Sequence, residues 1–184
     1  MDNGESSYRR FLAGDDGGMV ELIRVYKDGL IIYLSSYTDN LASAEDCVQD
    51  TFIRLAVKKP HFSGRSTFKT WLYTIGRNIA IDHARKRNRH RNAGQEELEA
   101  VADVSDLESG YLVTERRVTL YRALERLKKE YRQALYLTYF EEFSATEAAD
   151  VMGKSRRQVE NLLYNARKAL RSELEKEGFS YDDI

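Results

Sequence analysis

The sequence predicts an all-α protein of two small helical domains joined by a flexible acidic linker. Its 184 residues include one proline, and strand-like alternation of apolar and polar residues is almost absent. Apolar residues instead recur at spacings of three and four, as in helices that bury one face. We expect domains at residues 1–91 and 117–178, a linker at 92–116 and a short tail at 179–184.

The first domain is predicted to begin with two amphipathic helices. Apolar residues recur at helical spacing from Met19 to Tyr37, and a polar break follows at residues 38–40. A second helix is expected from about Ala42 to Val57. Its apolar face comprises Ala44, Val48, Phe52 and Leu55. The two helices can pack together through these stripes.

A loop at residues 58–65 precedes a third predicted helix, for which Ser66 is placed as the N-terminal cap. The apolar residues of this helix are Phe68, Leu72, Ile75 and Ile79. The helix then runs past Asp82 into the basic sequence RKRNRHR. Basic residues near a helix C-terminus stabilise it by about 0.3 to 1 kcal/mol each. The basic residues at this end of the helix are more numerous than helix stabilisation requires.

Charge changes sign sharply along the middle of the chain. Residues 77–91 contain six Lys or Arg and one acid, whereas residues 92–116 contain seven acids and one Arg. The chain as a whole is balanced, with 29 Lys plus Arg and 30 Asp plus Glu. This distribution indicates a surface for nucleic acid beside a segment that avoids or mimics nucleic acid.

The most informative segment is a predicted helix-turn-helix at residues 144–170. Two capping boxes, Ser144 with Glu147 and Ser155 with Gln158, flank Gly153, where the first helix must stop. The buried stripe of the second helix is expected to be Val159, Leu162, Leu163, Ala166 and Leu170. The opposite face can reach phosphates and base edges, although a helical hairpin with a merely solvated face would show the same pattern.

Several classes of function are disfavoured. The one cysteine, Cys47, lies on an amphipathic helix and reads as a buried apolar residue, so no disulfide framework is expected. The three histidines have no metal-ligand spacing, and no glycine-rich phosphate loop or nucleophile motif occurs. We therefore expect no enzyme, cofactor or metal. Without a signal peptide or an apolar span, we expect a cytoplasmic protein.

Three segments in this order resemble the bacterial sigma factors of the extracytoplasmic-function type, which contain only the second and fourth sigma domains. The first is AEDCVQDTFIRLA at residues 44–56, and the second is HFSGRSTFKTWLYTIGRNIAIDHARKR at residues 61–87. The third, at residues 120–170, contains the helix-turn-helix. The resemblance covers most of the chain outside the linker and the termini.

The resemblance implies that the second predicted helix binds core RNA polymerase. The residues expected there are Glu45, Asp46, Gln49, Asp50, Phe52 and Arg54. Carboxylates and an amide around an apolar anchor suit a protein interface. A solvated helix face, with Phe52 and Val48 serving only the core, is the alternative.

Recognition and melting of the promoter −10 element are implied for the loop and the third helix. Melting needs a platform for an unstacked base next to cations that hold the strand. The residues expected there are His61, Phe62, Arg65, Lys69, Arg77, Asn78, Asp82, Arg85, Lys86 and Arg87. Trp71 is either a core residue, which its helical spacing favours, or a stacking wedge.

Recognition of the −35 element is implied for the second helix of the helix-turn-helix, lying in the major groove. The residues expected there are Arg156, Arg157, Gln158, Glu160, Asn161, Tyr164, Asn165 and Lys168. Many relatives carry small residues in place of Arg156 and Arg157, a basic residue in place of Glu160 and an arginine in place of Leu162. The promoter sequence should therefore not be assumed to be the one common in the family.

The resemblance also implies the partners: core RNA polymerase, through its β′ clamp helices and β flap, promoter DNA, and an anti-sigma factor. The acidic linker is then either an ordinary tether or a displaceable RNA mimic. Two other functions remain possible from the residues alone. One is a helix-turn-helix regulator that does not serve as a polymerase subunit, and the other is an adaptor made of two helical bundles.

Overall fold

A computed structural model of the protein describes residues 4–92, 120 and 122–178. All regular elements within these residues are helices, so the all-α prediction is confirmed. Residues 4–92 belong to one compact unit, and residues 122–149 and 154–178 belong to a second. Most of the predicted linker and the predicted tail lie outside the described residues. None of the described helices combines the length and apolarity needed to cross a bilayer.

The first unit contains four helices: α1 (Glu5–Leu12), α2 (Gly17–Ser35), α3 (Leu41–Lys58) and α4 (Phe68–Asn92). Residues 122–178 contain a helical turn at residues 122–125, α5 (Lys129–Leu135), a π-helical turn (Tyr136–Phe140), α6 (Ala145–Met152) and α7 (Arg156–Lys176). The three long helices predicted for the first domain are therefore all present.

Helix α1 was not expected from the sequence. It is only eight residues long, and its buried side chains are Ser7, Tyr8 and Phe11. A helix this short is marginal by itself in water, so its stability must come from packing against the rest of the unit. It packs against α2.

The core of the first unit lies where α2, α3 and α4 meet. Side chains with no exposed surface there include Leu30, Leu34, Ala44, Leu55, Leu72, Tyr73 and Ala80. At Gly76 in α4, an added Cβ would lie 3.3 Å from Leu34 Cδ1 and 3.4 Å from Thr51 Oγ1. The absence of a side chain at Gly76 therefore lets α4 approach both neighbouring helices closely.

N-terminal side-chain caps mark the starts of α3 and α4. The Asn40 side chain caps α3 by accepting a hydrogen bond from the Ser43 amide at 2.7 Å. The expected cap of α4, Ser66, is wrong by one residue. Because α4 begins at Phe68, the capping position falls on Thr67, whose Oγ1 accepts from the Thr70 amide at 3.2 Å.

The second unit has its own core. It includes Ala123, Leu124, Leu127, Ala134, Leu135, Leu137, Val159, Leu163 and Ala166. α5 packs against α7 and continues into the π-helical turn, where the Glu141 amide bonds to the carbonyl oxygen of Tyr136 at 3.1 Å. The wider turn changes the helical register, and Tyr139 and Phe140 are 55% and 46% exposed.

We predict that Leu55→Ala will lower the free energy of unfolding of the first unit by about 2 to 5 kcal/mol, because it leaves a cavity where Leu55 is 0% exposed. Val57→Ala is the control, since Val57 is 70% exposed on the same helix. Urea unfolding followed by the fluorescence of the single tryptophan reports on this unit. Equal losses in both variants would contradict the described packing of α3.

Candidate nucleic-acid interface

Both capping boxes of the predicted helix-turn-helix are present. The Ser144 amide donates to Glu147 Oε2 at 3.0 Å, and the Glu147 amide donates to Ser144 Oγ at 3.2 Å. At the start of α7, the Ser155 amide donates to Gln158 Oε1 at 2.7 Å, and the Gln158 amide donates to Ser155 Oγ at 3.3 Å. Each box satisfies two amides that a helix N-terminus would otherwise leave without a partner.

The turn between α6 and α7 is a Schellman motif centred on Gly153. Gly153 has φ of 63°, in the left-handed region that glycine adopts without a steric penalty. Its amide bonds to the Asp150 carbonyl at 3.3 Å, and the Lys154 amide bonds to the Ala149 carbonyl at 3.0 Å. The sequence therefore fixes both the end of α6 and the start of α7.

Helix α7 divides into a packed face and an open face. Val159, Leu163 and Ala166 are buried, while Leu162 and Leu170 are half-buried. All eight residues expected to contact the −35 element are exposed: Arg156, Arg157, Gln158, Glu160, Asn161, Tyr164, Asn165 and Lys168. A face of this size with several hydrogen-bond donors and acceptors can enter a major groove.

Two ion pairs constrain charged groups near this face. Arg156 Nε lies 2.7 Å from Glu160 Oε1, one helical turn away. The Lys154 ammonium lies 2.7 Å from Glu130 Oε1, which joins the turn to α5. Both pairs are partly exposed, so their contribution to stability is small. Their effect is to orient the side chains. The guanidinium of Arg156 is held by Glu160, one turn further along the same helix.

A shallow depression of about 250 Å³ adjoins the open face of α7. It is lined by Tyr131, Lys154, Gln158, Asn161, Leu162 and Asn165. Tyr131 and Lys154 were not among the expected contact residues, because they lie outside α7 in the sequence. The three side-chain amides in its wall, those of Gln158, Asn161 and Asn165, are hydrogen-bonding groups suited to a base edge.

A second depression, of about 440 Å³, lies on the first unit. It is lined by Arg54, Arg77, Asn78, Ile81, Asp82 and Arg85. The structure thus brings four of the residues expected at the −10 element together with Arg54, which was expected at the polymerase. Three arginines around one concave surface are suited to a negatively charged strand, and Asp82, 3.8 Å from Arg85, offsets part of their charge.

Not all the basic residues of α4 face solvent freely. The Arg87 guanidinium donates from Nη2 to Asp39 Oδ1 at 3.0 Å, which ties α4 to the connection before α3. Lys86 and Arg89 are exposed. His83 Nε2 lies 2.9 Å from Asp50 Oδ2 and links α4 to α3. Arg87 and Asp50 therefore have partners inside the unit, while Lys86 remains exposed to solvent.

The loop between α3 and α4 rests on a cluster of aromatic rings. The Phe62 ring centroid lies 5.2 Å from that of Trp71 and 5.6 Å from that of Phe68. Trp71 is half-buried, and its ring also lies 5.6 Å from Tyr8. His61 and the Arg65 cation flank Phe62 in the chain, and both are exposed. An exposed cationic loop over a firm aromatic base is suited to holding an unstacked nucleotide.

The expected polymerase-binding residues divide between surface and core. Glu45, Asp46, Gln49 and Arg54 are exposed, and Asp50 is half-buried. Phe52, expected as the apolar anchor, is only 7% exposed because it continues the core stripe of α3. This expectation needs correction: the exposed apolar side chains of α3 are Ile53 and Val57, at 52% and 70%.

Cys47 is buried, as expected for a residue of the core. Burial is the main cause that raises the pKa of its thiol to about 11, and the nearby carboxylates of Asp50 and Asp46 add to it. Within the described residues, no group of three or more His, Cys, Asp or Glu side chains is arranged to hold a metal ion.

A capped helix-turn-helix and a helical unit with a cationic concave face are together typical of a DNA-binding protein. The chain matches the family models for Sigma-70 region 2 at residues 22–90 and for Sigma-70, region 4, at residues 117–170. The first match covers α2 to α4, and the second contains the helix-turn-helix. These are the two units that the structure describes.

Relatives match along nearly the whole chain. The chain is 31% identical to the RNA polymerase sigma factor YlaC of Bacillus subtilis (strain 168), covering 85% of this chain and 91% of the relative. It is 29% identical to the ECF RNA polymerase sigma factor SigW of the same organism, covering 88% and 91%. The sigma factor RpoE of Bartonella quintana, solved in complex with the anti-sigma factor NepR, superposes with a TM-score of 0.65 at 27% identity, covering 84% and 95%.

The chain belongs to the extracytoplasmic-function group of the sigma-70 family. It is therefore a sigma factor, which binds core RNA polymerase and directs it to initiate transcription at particular promoters. The alternative of a helix-turn-helix regulator that is not a polymerase subunit is not favoured, since the region 2 match at residues 22–90 would have no role in it.

We predict that Ser155→Ala will destabilise the first turn of α7 by about 0.5 to 2 kcal/mol, because the Gln158 amide loses the Ser155 Oγ that accepts its hydrogen bond. The control is Ser172→Ala, which changes an exposed serine inside the same helix. Hydrogen exchange of the amides at residues 156–158 measures the effect. Unchanged protection in Ser155→Ala would show that the capping box does not hold the turn.

Proposed function

We propose that the two described surfaces divide promoter recognition between them, with the open face of α7 reading the −35 element and the α4 depression with its adjoining loop engaging the −10 element. The observation that carries the proposal is that all eight expected α7 residues are exposed and lie outside the buried stripe of Val159, Leu163 and Ala166. Recognition of duplex DNA by a helix-turn-helix requires a folded helix whose exposed side chains reach the base edges in the major groove.

At the −35 element, the capped N-terminal half of α7 would enter the major groove. Arg156, held by Glu160 at 2.7 Å, is oriented to pair with a guanine, while Asn161 and Gln158 are suited to adenine. Glu160 is already engaged with Arg156, so its role is first to orient the arginine. Tyr131 and Lys154, at the rim of the depression, would contact the sugar-phosphate backbone.

At the −10 element, Arg54, Arg77 and Arg85 would hold the displaced strand along α4. Phe62, with His61 and the Arg65 cation beside it in the loop, would receive an unstacked base. Base stacking on an aromatic ring contributes about 1 to 3 kcal/mol, which offsets part of the cost of unpairing. Arg87 has a structural role instead, through Asp39.

On α3, the surface proposed to bind core polymerase contains Asp46, Gln49, Ile53 and Val57, at spacings that place them along one face. Two exposed β-branched residues between polar neighbours form an apolar centre with a polar rim. Ile53 takes the anchoring role first expected for Phe52, which is buried.

We also propose that an anti-sigma factor regulates this protein, which then acts in the cytoplasm with the polymerase. The support is the structural match to a sigma factor bound to its anti-sigma factor, at 27% identity over 84% of this chain. An inhibitor of this kind would cover the exposed polymerase-binding or DNA-binding surfaces described above. The anti-sigma factor can be identified by isolating the proteins that bind this chain in its native host.

We predict that Arg156→Ala combined with Arg157→Ala will reduce run-off transcription by the holoenzyme at least about tenfold, since each base contact contributes about 1 to 3 kcal/mol. The promoter is one recovered by run-off from a library of genomic fragments. The control, Arg171→Ala with Lys176→Ala, removes the same charge from the C-terminal half of α7. Equal losses in both would indicate that net charge alone governs binding.

We predict that Ile53→Asp will weaken binding to core polymerase at least about tenfold, because it buries a carboxylate at the centre of the interface. Its fold should be unaffected, since Ile53 is 52% exposed. Val20→Asp on α2, where Val20 is 66% exposed, is the matched control. Fluorescence anisotropy of the labelled variants, titrated with core enzyme, measures the affinity of each. Unchanged affinity in Ile53→Asp would show that this face of α3 does not bind core polymerase.

A further inference from the structure

Helix α1 lies outside the residues matched by the family model, which begin at residue 22. It is nevertheless fixed to the first unit. An added Cβ at Gly18 would lie 2.2 Å from the Ser7 carbonyl oxygen and 2.8 Å from the Phe11 amide nitrogen, so only glycine permits this crossing of α1 and α2. Ser7 Oγ and Arg10 Nη1 also bond to Glu21 on α2, each at 3.0 Å.

From this position α1 reaches the start of the loop between α3 and α4. The Tyr8 hydroxyl donates a hydrogen bond to the Pro60 carbonyl oxygen at 2.8 Å. Burial raises the pKa of Tyr8, so the hydroxyl keeps the proton that it donates. One residue earlier, the Lys59 ammonium lies 5.2 Å from the centroid of the Phe11 ring. Two neighbouring loop residues are thus held by one short helix.

Tyr8 also supports the rings on which the loop rests. It is 1% exposed, and its ring lies 5.5 Å from Phe68 and 5.6 Å from Trp71. Phe62 in the loop packs on the same two rings. The Tyr8 side chain therefore contacts the loop at its first turn and, through Phe68 and Trp71, supports Phe62.

The loop has few other restraints. Within residues 4–92, no backbone-to-backbone hydrogen bond is made by residues 61–66. Lys59 adopts a left-handed conformation, with φ of 43°, where the chain leaves α3. The conformation of residues 60–66 thus depends on the Tyr8 bond at Pro60, the packing of Phe62 and the cap of α4 at Thr67.

We propose that Tyr8 is a positioning residue for the loop that engages the −10 element, and that α1 contributes to that site by holding the loop in place. The inference rests on the proposed role of the loop. Tyr8 touches no DNA in this arrangement; it acts by holding the Pro60 carbonyl and the base of the aromatic cluster, so that Phe62, His61 and Arg65 are presented in one conformation. Preorganisation of this kind lowers the entropy lost when a strand binds.

The test compares Tyr8→Phe with Tyr33→Phe in the full chain assembled with core polymerase. Tyr33 is also 1% exposed in the first unit, and its hydroxyl bonds to that of Tyr37 at 3.1 Å, away from the loop. Each variant loses one buried hydroxyl and keeps its ring. The probes are a single-stranded oligonucleotide carrying the non-template −10 region of a promoter recovered by run-off, and a duplex carrying only its −35 element.

Tyr8→Phe should lower the affinity of the holoenzyme for the single strand about three- to tenfold, as expected for one lost hydrogen bond. It should reduce permanganate reactivity of the open complex, and leave binding of core polymerase and of the −35 duplex unchanged. Tyr33→Phe should leave all four unchanged. An equal effect of both variants, or none of Tyr8→Phe on strand affinity, would overturn the proposal.

A third variant separates this inference from the function on which it rests. Phe62→Ala removes the proposed base platform directly. If Phe62→Ala impairs strand binding and Tyr8→Phe does not, the inference about Tyr8 fails and the loop keeps its role. If Phe62→Ala, together with Arg65→Ala, leaves strand binding and promoter opening intact, the assignment of the loop to the −10 element fails, and the inference about Tyr8 with it.

Discussion

The close packing of α4 against α2 and α3 determines where the charged groups of the first unit lie. Gly76 allows the approach, and Leu72, Tyr73 and Ala80 bury the face on either side of it. Once that face is fixed, helical geometry leaves Asn78 and the cationic side chains around it on the outside. The concave arginine surface is thus a consequence of how an apolar stripe packs, and its shape depends on residues that never meet a ligand.

The sequence predicted the features whose causes are local. Each capping box depends on two side chains three residues apart, and the helix stop depends on a single glycine, Gly153. The structure contains all three features. Helix α1 was missed because eight residues carry too little periodicity, and its stability comes from a tertiary crossing at Gly18. The depression beside α7 was missed for the same reason, since Tyr131 is far from α7 in the sequence.

The error at Phe52 has a different origin. The stripe of Ala44, Val48 and Leu55 already placed Phe52 on the core face, but the resemblance to sigma factors suggested an interface anchor. The two indications conflicted, and Phe52 is buried, as the periodicity predicted. Trp71 shows the intermediate case: its helical spacing favours the core, and it lies half-buried among other aromatic rings. The roles of individual DNA-contacting residues stay predictions, because charge and exposure alone do not identify a base.

The pairing of Arg156 with Glu160 restricts how this helix can diverge during evolution. Either side chain changed alone leaves the other without this partner on the exposed surface of α7. Under the proposed function, an unpaired arginine would bind phosphates without regard to sequence, and an unpaired glutamate would be repelled by them. New promoter preferences in this lineage should therefore arise by paired exchange at these positions, or by change at Asn161 and Asn165, which stand outside the pair.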